Sequence, residues 1–113
     1  MVDRKCSFAN AAEILGRKWT LEMIYNLQEK RRFCELQNVV GGLNPATLTQ
    51  RLKILESSGI VNRYPVSKAP RHVEYELTEK GKELISVLSD LITWENRWYP
   101  EEENGNQNYK QAS

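Results

Sequence analysis

The residues with the most chemical potential sit in one stretch, Asn44 to Tyr64, which reads NPATLTQRLKILESSGIVNRY. Asn44 can cap a helix, Pro45 fits its first position, where a missing N–H costs nothing, and Gly59 can end it. Leu48, Leu52 and Leu55 recur at helical spacing. Wound at about 100° per residue, such a helix sets Gln50 opposite the leucines, with Ala46, Thr47 and Lys53 beside it and Thr49 and Arg51 on the flanks. That face joins short side chains, which permit close approach, to a glutamine, whose amide can bond an adenine edge twice, and to cations that neutralise phosphates. An ordinary amphipathic helix with a solvated outer face carries a similar pattern, so the rest of the chain must decide.

Other chemistries lack a constellation. His72 is the one histidine and has no evident partner, and the two cysteines, Cys6 and Cys34, form no CxxC, so neither a metal site nor a catalytic base is indicated. Two cysteines do not make a disulfide scaffold. The pairs Glu74/Glu76 and Glu101/Glu102 fall on a strand and in a polar tail rather than on facing walls of a cleft. Gly41-Gly42 follows no strand and precedes no GK[ST], which argues against a phosphate loop. No enzymatic activity and no cofactor are expected.

The 113 residues are enough for one domain with a modest core. No apolar run reaches the ~20 residues that span a bilayer, and the first residues lack the apolar segment of a secretory leader, so a cytoplasmic location is expected. Net charge is only +1, but it is unevenly placed. Residues 17–72 hold 10 Lys+Arg against 4 Asp+Glu, a net of +6, whereas residues 73–113 hold 4 against 9, a net of −5. A basic middle and an acidic final third fit one face for a polyanion and another for a different task.

Around the central helix the chain reads in order. Residues 1–8 form an arm; residues 9–99 form the folded domain; residues 100–113, polar and poor in apolar side chains, are expected to be disordered. Helices are predicted over Asn10–Leu15, Lys18–Glu29 and Phe33–Val40, the second largely buried with Trp19 in the core. EKRR, at Glu29 to Arg32, reads as a polar turn, and Gly41-Gly42 separates the third helix from the central one, a helix-turn-helix arrangement. Strands follow at Ile60–Val66 and His72–Leu77, joined by a loop with Lys68 and Arg71. The fold class is therefore mainly α with a small β-hairpin wing: a winged helix-turn-helix. Thr78 caps a long helix over Glu79–Tyr99 whose apolar residues cover more than one side, among them Leu84, Leu88, Leu91, Ile92, Trp94 and Trp98. A second copy of the chain is the expected neighbour for the extra face, which makes this a dimerisation helix.

These residues resemble the HxlR-type winged-helix transcriptional regulators, relatives of the MarR group. The resemblance runs from Cys6 to Trp98 through GRKWTLEMIYNL, RRFCELQ, LTQRLKILESSGIVNR and the run from Pro70 to Leu84. It implies a homodimer that binds double-stranded DNA on a pseudo-palindromic site, with Pro45–Ser57 as recognition helix and Arg63–Val73 as wing. Several such regulators sense oxidants or electrophiles through a cysteine at the position of Cys6. Many relatives place proline directly after it, where this chain has Ser7. Arg4 and Lys5 beside Cys6 favour a thiolate; packing beneath the dimer helices is the competing role. The family leaves the position of Cys34 variable.

Within that reading Thr47 and Gln50 are the candidate base contacts, Thr49, Arg51, Lys53, Lys18, Arg31 and Arg32 the candidate phosphate contacts, and Lys68 and Arg71 the wing contacts. The alternative is a winged helix that binds only other proteins, with its cations scattered in space. Gln50→Ala is expected to relax base preference at one position by about 1–3 kcal/mol. An unchanged preferred sequence in a selection from random duplexes would remove Gln50 from the base contacts.

Overall fold

A computed structural model of the chain describes residues 7–65 and 73–100. Along the chain come α1 (Ala9–Leu15), α2 (Thr20–Asn26), β1 (Arg31–Arg32), α3 (Phe33–Val40), α4 (Pro45–Ser57), β2 (Val61–Pro65), β3 (Val73–Leu77), α5 (Glu79–Lys82) and α6 (Leu84–Trp98). The three strands form an antiparallel sheet in the order β1-β3-β2. The architecture is a winged helix-turn-helix, with α3 and α4 as the helix pair and β2–β3 as the wing hairpin.

α4 begins and ends where its sequence dictates. The Asn44 side chain accepts from the Thr47 N–H at 2.8 Å, and Pro45 takes the first position. At the far end the Ile60 N–H donates to the Leu55 carbonyl and the Gly59 N–H to the Glu56 carbonyl, a Schellman pair that needs the left-handed Gly59 at φ 78°. Leu48, Leu52 and Leu55 are buried with Met23, Ile24, Leu27 and Leu36 of the preceding helices and with Ile60, Val61, Val73, Tyr75, Leu77 and Leu88. On β3 the alternation holds: Val73, Tyr75 and Leu77 face the core, while Glu74 and Glu76 are half-buried.

The next element clamps the end of α4. The Thr78 hydroxyl donates to the Gly59 carbonyl at 2.6 Å and accepts from the Gly81 N–H at 3.0 Å, and Lys80 Nζ donates to the Ser58 carbonyl at 2.7 Å. Gly81 lies so close that a Cβ there would stand 2.3 Å from the Ile60 carbonyl oxygen.

Five expectations are corrected. The second helix starts at Thr20, because Trp19 is left-handed (φ 80°), and it ends at Asn26. Trp19 packs half-buried against the core. The predicted polar turn at Glu29 to Arg32 contains a strand: Arg31 pairs with Tyr75 and Arg32 with Glu74, because β3 has a second edge open to pairing. The long final helix is interrupted at Glu83, between a first turn fixed to Ile60 by Thr78 and Gly81 and a second segment that follows α2. Finally, Leu88 belongs to the core of the single chain rather than to a free face, and Leu84 is half-buried against that core.

Gly81→Ala is expected to destabilise the fold by about 1–3 kcal/mol, since the new methyl meets backbone rather than a movable side chain. Urea unfolding reads this as a lower midpoint; an unchanged midpoint would mean that α5 lifts freely from Ile60.

Candidate nucleic-acid interface

Burial of the leucine stripe settles which side of α4 faces outwards. Gln50, Lys53 and Thr49 are exposed, and Thr47 is half-buried beside its cap. Between α4 and the sheet runs an open cleft of about 370 Å³, lined by Thr49, Leu52, Lys53, Glu56, Arg63 and Tyr75. Among the described residues neither Lys53 nor Arg63 takes part in an ion pair, and both flank this cleft together with Glu56.

Arg63 adds to the residues expected from sequence. A period-two count from the buried Val61 puts it on the α4 side of β2, a signal masked by its position early in the hairpin. Arg51 is engaged internally. Its Nε donates to the Lys18 carbonyl at 2.9 Å and a terminal N–H donates to Gln50 Oε1 at 2.8 Å. This bond also brings Lys18 to the flank of α4, where its Nζ lies 5.1 Å from the centre of the Trp19 ring.

Arg31 and Arg32 sit on β1, across β3 from β2. Arg31 Nε donates to the Asn26 carbonyl at 2.6 Å, closing one of the free carbonyls at the end of α2. Arg32 heads α3, where its backbone N–H donates to the Glu35 carboxylate at 2.9 Å. Lys68 and Arg71 on the wing tip, and Cys6 on the arm, lie outside the described residues.

A second surface stands apart from α4. Along α6, Val87, Leu91, Trp94 and Trp98 recur at spacings of four, three and four, which places them on one stripe. All are exposed, Trp94 by 50% and Trp98 by 63%, and Ile92 and Tyr99 are exposed beside them. The Trp94 and Tyr99 rings lie 5.9 Å apart and tilted by 60°.

The model of the HxlR-like helix-turn-helix family matches residues 14–103. The chain belongs to this family. Among its relatives is YvaP of Bacillus subtilis, described as an HTH-type transcriptional regulator, 34% identical over 92 residues that cover 80% of this chain and 85% of YvaP. The fold is similar to the reduced form of the transcriptional regulator YodB from B. subtilis, with a TM-score of 0.72, 31% identity and coverage of 88% of this chain and 97% of that one. It is likewise similar to the redox regulator HypR in its oxidised form, with a TM-score of 0.74, 30% identity and coverage of 81% and 96%. The family is one of transcriptional regulators, not enzymes. Among the described residues no helix is long and apolar enough to cross a membrane.

The placement of this face rests on the entry to α4. Asn44→Ala is expected to cost about 0.5–2 kcal/mol of stability, with Asn44→Asp retaining most of it. Equal midpoints for all three proteins in chemical unfolding would mean that the cap contributes nothing.

Proposed function

We propose that the protein is a homodimeric, sequence-specific DNA-binding transcriptional regulator that acts in the cytoplasm. The observation that carries this reading is the division of α4: leucines inside, and Thr49, Gln50 and Lys53 outside beside Arg63. An exposed helix face of short, amide and cationic side chains fits the major groove, where base edges are read by hydrogen bonds and phosphates by charge. The hairpin would lay its tip, with Lys68 and Arg71, on the backbone or the minor groove.

The α6 stripe supports the second copy. Two exposed tryptophans on one helix face, continuous with leucine and valine, are what a subunit interface covers. Pairing two chains would set two copies of α4 in successive major grooves, about 34–36 Å apart, and so call for a roughly palindromic site. Cys6 is the proposed redox- or electrophile-responsive residue. Its support is the cationic Arg4-Lys5 neighbourhood and the likeness to HypR, itself described as a redox regulator.

Lys53→Ala and Arg63→Ala are each expected to weaken binding to all duplexes and to lower the slope of log K against log salt by about one. Slopes equal to wild type would separate the cleft from the phosphates, and negligible wild-type binding at moderate salt would leave a protein–protein module. Trp98→Glu is expected to yield monomers in sedimentation and to lose tight operator binding. Oxidant is expected to weaken operator binding by the wild type and not by Cys6→Ser; equal loss in both would end the sensing role.

A further inference from the structure

Arg51 is hydrogen-bonded to the Gln50 side chain. Its guanidinium is itself anchored, because Nε donates to the Lys18 carbonyl at 2.9 Å, a contact between segments 33 residues apart. That carbonyl belongs to the peptide leading into Trp19, whose φ of 80° turns it relative to α2, a conformation that non-glycine residues seldom adopt. From this anchored position another guanidinium N–H donates to Gln50 Oε1 at 2.8 Å. The amide oxygen is therefore drawn toward a fixed cation, and the amide nitrogen, with its two hydrogens, is left as the free end.

This changes what the glutamine can read. An adenine edge in the major groove offers one acceptor, N7, and one donor, the N6 amino group, so it needs an amide that gives and accepts. A guanine edge offers two acceptors, N7 and O6. Gln50 and Arg51 together present donors. The Gln50 oxygen keeps a second lone pair, but an adenine amino group reaching it would bring its own hydrogens against those of the guanidinium.

We propose that Arg51 is a positioning residue that makes Gln50 a hydrogen-bond donor toward the base, so that α4 selects guanine over adenine at the position Gln50 contacts. This rests on the reading of α4 as a DNA-recognition helix. It assigns Arg51 a role in specificity in place of the phosphate contact expected from its charge.

The test measures relative affinities for all four bases at each position of a selected duplex, with wild type, Gln50→Ala and Arg51→Met. The position that Gln50→Ala flattens is expected to be guanine in the wild type. Arg51→Met, which removes both donors and keeps an unbranched stem, is expected to shift the guanine-to-adenine ratio there about tenfold or more toward adenine. Adenine at that position in the wild type overturns the proposal, as does an unchanged ratio in Arg51→Met. A loss by Arg51→Met that is uniform over all bases, with a salt slope lowered by about one, overturns it in favour of a phosphate contact. Absence of any wild-type DNA binding would instead defeat the underlying reading of α4, and this proposal with it. Should Arg51→Met fail to fold, the wild-type preference decides alone: guanine supports the proposal and adenine overturns it.

Discussion

The burial of Leu48, Leu52 and Leu55 is the constraint on which the rest of the molecule depends. Each fully buried leucine contributes roughly 1.5–3 kcal/mol, so the three together rival the entire net stability of a small domain, about 5–15 kcal/mol. Rolling α4 about its axis would forfeit that stabilisation. The helix therefore has one rotational setting, and the side chains opposite the leucines have one outward direction. Asn44 fixes where the helix starts, Gly59 fixes where it stops, and Thr78 with Gly81 pins the stop to the following element.

That arrangement has two consequences for the surfaces around α4. On the outward face the Gln50 amide oxygen accepts from Arg51, which is itself bonded to the loop before α2. The same core that seats α4 also takes in Leu88 of α6, so the helix bearing the exposed tryptophan stripe and α4 share one core, with α6 packed on α2. In the proposed dimer, the spacing between the two copies of α4 would be set through this shared core rather than through a flexible link.

Much of this was legible in the sequence because the signals were periodic or tied to one residue type. Phe33–Val40 has the extent read from its apolar spacing and flanking glycines, α4 starts at Pro45 after its Asn44 cap and stops before Gly59 as those residues indicate, and Val73–Leu77 follows its alternation. Thr78, Gly59 and Asn44 have chemistry that names their places. The failures are of a different kind. β1 is two arginines long, too short for any period, and exists only because β3 offers a free edge. The left-handed Trp19 cannot be read from a residue type that avoids that conformation. The division at Glu83 is a local change in the last helix, whose backbone there stays right-handed (φ −66°, ψ −20°), and no residue type announces it. The bonds of Arg51 and Arg31 to distant or neighbouring backbone carbonyls are tertiary: charge alone suggests solvent or phosphate, and only the fold shows the acceptor.

The most direct measurement is a heteronuclear NMR titration of the full chain with a short selected duplex. The account requires the largest shifts at the amides of Thr49, Gln50 and Lys53 and at the Gln50 side-chain amide, with Leu52 and Leu55 little changed. Shifts confined to α6, or an α4 untouched at saturating duplex, would contradict it.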